Sequence, residues 1–231
     1  MTHATFIAEV IEKMPDKEIF FAKELYDSIY KYEAITEENY YQILKRNQEK
    51  GRLVRLSKGV YAKPKNTRFG IVSPSEIEII DHFIKNDKGM FVGYQLFNQL
   101  HLTSQVSKKY HIITNNNHNK YTINNISIKY ANLEFTKPIK ETIAMLEVLS
   151  EIENIQDLDE KRFMQYCEEF AINSYSDDAL CTVLKESKYQ KYILNFLKKI
   201  LDTYEVQNTI DVYLSKLTNY KKPKVSLYEF A

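Results

Sequence analysis

Apolar positions in the first third of the chain recur at helical spacing and then switch to short extended runs. In Thr5–Met14 the residues Phe6, Ile7, Val10, Ile11 and Met14 fall on one helical face, and Pro15 with Asp16 stops that helix. Glu18–Phe21 reads as a short extended piece, and Ala22–Tyr30 as a helix with Leu25 and Ile29 inward. Thr36 is placed to cap a third helix that runs to about Lys50, where Gly51 ends it. Arg52–Leu56 then reads as a strand, Ser57–Gly59 as a turn and Val60–Lys63 as the returning strand, closed by Pro64. Helix, short strand, helix, helix, hairpin is the order of a winged helix-turn-helix, expected over residues 1–68.

Lys65–Arg68 is expected to be a linker into a second part, 69–231. Ser73-Pro74-Ser75-Glu76 reads as a helix start, with Ser73 as cap and Glu76 returning to it, and Ile77, Ile79, Ile80, Phe83 and Ile84 continue to Asn86. Met90–Val92 is a short strand, Gly93 leads into a helix from Tyr94 to Leu100, and Tyr110–Thr114 and Tyr121–Tyr130 are strands around the polar turn Asn115–Asn119. Ile123, Ile126 and Ile128 break strict alternation, so Asn124-Asn125 is expected to turn or bulge. From Pro138 to about Asn219 the pattern is helical. Its stripes include Ile143, Leu146, Leu149 and Ile152, then Phe163, Tyr166, Cys167 and Phe170, then Phe196, Ile200 and Leu201, and finally Ile210, Tyr213, Leu214 and Leu217. The predicted fold class is α+β and mostly helical. It has an N-terminal winged helix-turn-helix, a small mixed α/β unit over 69–137 and a helical part over 138–231.

Composition adds little until charge is placed along the chain. The formal net charge is +1, but residues 45–68 hold nine basic side chains (Lys45, Arg46, Lys50, Arg52, Arg55, Lys58, Lys63, Lys65, Arg68) against one acid, Glu49. A cationic cluster on the end of a third helix and on a wing suits a polyanion. Spacing puts Tyr40, Ile43, Leu44 and Asn47 inward, and Glu38, Asn39, Gln42, Lys45, Arg46 and Glu49 outward. Asn39, Gln42 and Arg46 are the expected base contacts, because their side chains match purine edges. Lys45, Arg52, Arg55, Lys58 and Lys63 are the expected phosphate contacts, with Tyr61 as a further phosphate donor. The expected partner is double-stranded DNA.

Little else in the chain points to chemistry. Five glycines, at 51, 59, 70, 89 and 93, form neither a P-loop nor a dinucleotide fingerprint. The five histidines lack ligand spacing, Cys167 and Cys181 make no zinc set, and Asp157 and Asp159 precede a helix that they are suited to cap. Neither a catalytic residue, a metal nor a cofactor is expected, and the chain is read as not an enzyme. The cysteines are expected to be buried thiols. Without an apolar run of membrane length or a signal-peptide pattern in Met1–Pro15, the expected location is the cytoplasm, with no membrane partner.

The run Gly51-Arg-Leu-Val-Arg-Leu-Ser-Lys-Gly-Val-Tyr-Ala-Lys-Pro64 resembles the wing of AbiEi-like antitoxins of type IV toxin–antitoxin systems. The likeness continues through Ile71–Ser75, Phe91–Val106 and the strand pair up to Tyr130, and spans about 1–170. The resemblance implies a repressor that binds inverted repeats in its own promoter, as a possible homodimer on DNA. It also implies that the chain counteracts a nucleotidyltransferase-like toxin in phage abortive infection, without requiring a stable complex. Where the resemblance leads one to expect an apolar residue on the inward face of the third helix, this chain has Asn47. The alternative is a winged-helix transcriptional regulator whose C-terminal part senses a ligand or dimerises.

Overall fold

The computed structural model describes residues 2–31 and 34–215, and the fold is mixed α+β with more residues in helices than in strands. The chain forms two compact units. One is the chain up to His82 together with Tyr121–Asn124, and the other is Phe83–Lys120 together with the chain from Asn125 on.

The first unit opens with α1 (His3–Lys13), capped by the Thr2 hydroxyl, which accepts from the Thr5 N–H. Strand β1 (Ile19–Phe21) runs directly into α2 (Ala22–Tyr30), and α3 (Glu37–Glu49) follows. The Thr36 hydroxyl accepts from the Asn39 N–H at the start of α3, as its sequence position predicts. Strands β2 (Val54–Ser57) and β3 (Val60–Ala62) form an antiparallel hairpin, and β1 pairs with the other edge of β3 to give the order β1-β3-β2. Every residue of β3 is buried. Ile7, Ile11, Ala22, Ile29, Ile35, Tyr40, Ile43, Leu44 and Leu53 form the core between the three helices and this sheet.

Residues 65–68 do not form the expected linker. Lys65–Thr67 is β4, and it pairs antiparallel with β5 (Gly70–Val72) in a second, two-stranded hairpin. Residue 68, the expected end of the first domain, lies in the turn of that hairpin. The helix that follows, α4 (Glu76–Ile84), is capped by Ser75 rather than Ser73. Glu78 accepts from the Ser75 N–H at 2.8 Å, and the Glu78 N–H donates back to the Ser75 hydroxyl at 3.3 Å. Both Ser73/Glu76 and Ser75/Glu78 have the capping-box spacing. The second is favoured because Glu78 also receives the Lys17 ammonium on both oxygens, at 2.7 and 2.9 Å.

In the second unit β6 (Gly89–Val92) is antiparallel to β7 (Tyr110–Thr114), and β7 is parallel to β9 (Ile126–Tyr130). Short helix α5 (Tyr94–Gln99) follows β6. The intervening strand β8 (Tyr121–Ile123) counts with the first unit, and Asn124, at φ 51°, makes the expected turn after it. Four helices complete the unit: α6 (Lys137–Glu151), α7 (Glu160–Asn173), α8 (Asp177–Glu186) and α9 (Lys191–Thr203). Eight residues of α6 are buried, from Ile139 to Leu149, because α7, α8, α9 and β6 all pack against it. One core runs from Val92 through Phe135 and Leu146 to Ile210, so the stretches separated in the sequence at 137/138 share a single interior. A 3-10 turn, Ile210–Tyr213, takes the place of continued helix there. Leu217, Asn219 and the tail Tyr220–Ala231 lie outside the described residues.

Candidate nucleic-acid interface

Helix α3 has the register that its spacing predicts. Tyr40, Ile43, Leu44 and Asn47 are buried, while Glu38, Asn39, Gln42, Lys45, Arg46 and Glu49 are exposed. The Tyr40 hydroxyl donates to the Ala22 carbonyl at 2.9 Å and ties α3 to the start of α2. Burial pushes the Tyr40 phenol well above its ordinary pKa. Asn47 is only 5% exposed, and its side-chain amide donates to the Ile43 carbonyl at 2.9 Å. A polar residue is therefore accommodated on the inward face by a bond one turn back along its own helix.

The exit from α3 is fixed by backbone geometry. The Gly51 N–H donates to the Gln48 carbonyl, and the Arg52 N–H donates to the Asn47 carbonyl, each at 2.9 Å. With Gly51 at φ 70°, these two bonds make a Schellman motif, which needs a left-handed residue at that position. Arg52 thus leaves the helix in a defined direction and leads into β2. Arg55 is exposed on β2, where its Nε donates to the Ser57 carbonyl at 3.3 Å, and Lys58 is exposed in the turn before Gly59.

Some cations of this unit have acidic partners. Lys17 is paired with Glu78, Lys23 with Asp27 and Glu37, and Lys63 with Asp16. Among the described residues no ion pair involves Lys45, Arg46, Arg52, Arg55 or Lys58. Asn39, Gln42 and Arg46 follow one another at spacings of three and four, so they share one exposed face of α3.

Two of the sequence-selected residues are engaged elsewhere. Tyr61 lies on the central strand, is 7% exposed and stacks on Phe20 with ring centroids 6.0 Å apart. The Lys63 ammonium donates to the carbonyls of Glu12 and Met14, at 2.6 and 2.7 Å, and so closes the C-terminal end of α1. Three exposed basic residues of the run 45–68 outside the selected set, Lys50, Lys65 and Arg68, belong to the same first unit. The charge run signalled all three, but reading 65–68 as a linker left Lys65 and Arg68 without a place in the fold.

The second unit carries a cavity of about 410 Å³, lined by Met90, Leu100, Ala144, Arg162, Tyr166 and Phe170 among others. The Tyr166 hydroxyl is buried and has no hydrogen-bond partner among the described residues. Arg162 is held by both oxygens of Glu169, at 2.9 and 3.1 Å. Cys167 and Cys181 are free thiols, and burial raises the Cys167 pKa, which disfavours the reactive thiolate. Asp159 caps α7 by accepting from the Arg162 N–H at 2.9 Å. Among the described residues no group of three or more His, Cys, Asp or Glu side chains is placed to hold a metal ion, and no helix is long and apolar enough to cross a membrane.

A protein-family model described as a family of unknown function (DUF6088) matches residues 6–165. None of the curated proteins matches the sequence. Among solved structures, the RV2827C protein from Mycobacterium tuberculosis is similar over 86% of this chain and 76% of that chain, with 11% sequence identity and a TM-score of 0.41.

Proposed function

The chain belongs to the DUF6088 family, whose function is unknown, and we propose that it is a DNA-binding regulator whose N-terminal unit works as a winged helix-turn-helix. One observation carries this reading. The exposed cations on the second half of α3, at its exit and on the β2–β3 hairpin are concentrated in one short stretch and lack acidic partners, whereas Lys17, Lys23 and Lys63 of the same unit have them. In this reading α3 lies in the major groove, with Asn39, Gln42 and Arg46 toward base edges. Lys45, Arg52, Arg55 and Lys58 neutralise phosphates along the groove. Tyr61 and Lys63 hold the fold that presents these residues.

The narrower reading is an antitoxin that represses its own promoter and counteracts a nucleotidyltransferase-like toxin. It is supported by the resemblance in residues 51–64 and 91–106, and its test is genetic. Co-expression should relieve the growth arrest caused by a nucleotidyltransferase encoded beside this gene, and unrelieved arrest rejects the antitoxin role. The cavity lined in part by Tyr166, whose buried hydroxyl has no hydrogen-bond partner among the described residues, favours a second reading, a regulator whose second unit takes a small ligand.

DNA binding is tested with the full chain and duplex DNA from upstream of its own gene. Replacing Arg52, Arg55 and Lys58 together by Ala should weaken binding to every sequence. It should also lower the salt slope by about 0.9 for each phosphate that is no longer neutralised. Gln42→Ala or Arg46→Ala should instead relax sequence preference by about 1–3 kcal/mol. A folded triple variant with unchanged affinity and slope rejects the reading.

A further inference from the structure

The second hairpin, β4–β5, has no role in the winged helix as described, yet its construction is specific. Its turn, Thr67-Arg68-Phe69-Gly70, is closed by the Thr67 hydroxyl, which donates to the Gly70 carbonyl at 2.9 Å and accepts from the Phe69 N–H at 3.2 Å. Gly70 has φ 120°, a conformation that favours glycine. The turn holds Phe69 87% exposed, with the Arg68 guanidinium 4.6 Å from the centre of its ring. The hairpin has two basic residues, Lys65 and Arg68, and no acid. Pro64 and Pro74, just outside its two ends, are both buried and anchor it.

Its place in the unit is equally defined. A β-carbon added to Gly51 would lie 2.6 Å from the Ile71 Cδ1, so the side chain of β5 packs directly over the exit of α3. The hairpin therefore rises beside Lys50 and Arg52, at the end of the helix assigned to the major groove.

We infer that the Arg68-Phe69 tip of β4–β5 is a second DNA-contacting element that enters the minor groove next to the major groove occupied by α3. This inference rests on the DNA-binding reading above. An exposed aromatic ring is costly in water and has the shape of the apolar wedges that part base steps. An adjacent arginine is drawn to the negative potential of a narrow minor groove. The ordered turn presents both side chains with little conformational freedom left to lose on binding. A protein or lipid partner would account for the ring alone. The unneutralised arginine and the neighbouring Lys50 and Arg52 favour a polyanion.

The experiment uses the full chain and the upstream duplex, with a fluorescent adenine analogue placed at successive steps flanking the footprint. Phe69→Ala should leave the melting temperature unchanged, because the ring is 87% exposed. It should weaken specific binding about tenfold, the scale of one aromatic side chain withdrawn from water. The salt slope should stay the same, and the fluorescence gain that reports an unstacked step should be lost. Phe69→Leu should keep most of that gain, and Arg68→Ala should lower the slope by about one. If Phe69→Ala binds and unstacks DNA like the parent while the Arg52/Arg55/Lys58 variant loses affinity, the inference is wrong and the DNA-binding reading stands. If the parent chain binds no duplex, both fall.

Discussion

The two hairpins of the first unit follow one another in sequence and use strands of three or four residues, yet they are held in different ways. Strand β3 has a partner on each edge and no exposed residue, while β5 is exposed at all three positions and pairs only with β4. In the first hairpin, order comes from burial, and charge is confined to β2 and the turn. In the second, it comes from the Thr67 hydroxyl, two buried prolines and the contact of Ile71 over Gly51. The comparison shows that strand length alone does not tell a structural hairpin from a presented one. Removing side chains from each should separate them.

The largest effect is expected in β3. Val60→Ala should lower unfolding free energy by about 2–3 kcal/mol, from lost transfer energy and an unfilled space. A loss below about 1 kcal/mol in chemical denaturation would mean that burial is not what holds this hairpin. Next comes Lys63→Ala, which removes two charge-assisted bonds at the end of α1 and should cost about 1–2 kcal/mol. Its DNA affinity and salt slope should match those of the parent. A slope reduced by one would return Lys63 to the phosphate-contacting set.

The exit of the second hairpin is tied to the rest of the unit through Glu78. Hydrogen bonds from Lys17 and Ser75 hold the Glu78 carboxyl at a pKa of about 2, below its usual 4.5. A carboxylate depressed in the folded state stabilises above its unfolded pKa, and that stability is lost as pH falls from about 4.5 toward about 2. Because the pair is partly exposed, Glu78→Gln should cost only about 1 kcal/mol at neutral pH. The gap between variant and parent should close on acidification, and a gap independent of pH would point to packing instead. The smallest effect is expected on β5, where Val72→Thr should change stability by no more than about 0.5 kcal/mol. A larger loss would show that β5 is covered in the folded protein, and it would make the two hairpins alike.

The register of α3 was legible because period and partner agree. Tyr40, Ile43, Leu44 and Asn47 recur at three and four residues and are all buried, Asn47 included because a helix carbonyl satisfies its amide. The β2–β3 hairpin was legible from Gly59 between two short, mostly apolar runs, Leu53–Leu56 and Val60–Ala62. Lys65–Val72 was not, because its strands are too short to show alternation and its basic residues look like those of a tether. The choice between Ser73 and Ser75 as cap depended on Lys17, which is remote in sequence. The parallel pairing of β7 with β9 leaves no local mark either, since the residues of a short apolar strand do not state the direction of its partner. For the candidate interface, residue type and helix face selected cations that are exposed, among them Lys45, Arg46, Arg52, Arg55 and Lys58. Neither could show that Tyr61 stacks on Phe20 or that Lys63 closes α1, because both depend on neighbours distant in sequence.

The first unit takes back Tyr121–Asn124 after the chain has left it at His82, and Tyr121 lies against Phe21 with ring centroids 5.7 Å apart. On the ribosome, the groups that would grip DNA emerge early, but the body behind them stays incomplete until Asn124 has been synthesised. By then β6 and β7 have also been synthesised. A nascent chain stalled before that point carries the cationic surface without its finished support, so under the proposed function any grip on DNA would depend on translation well past the residues that would touch it.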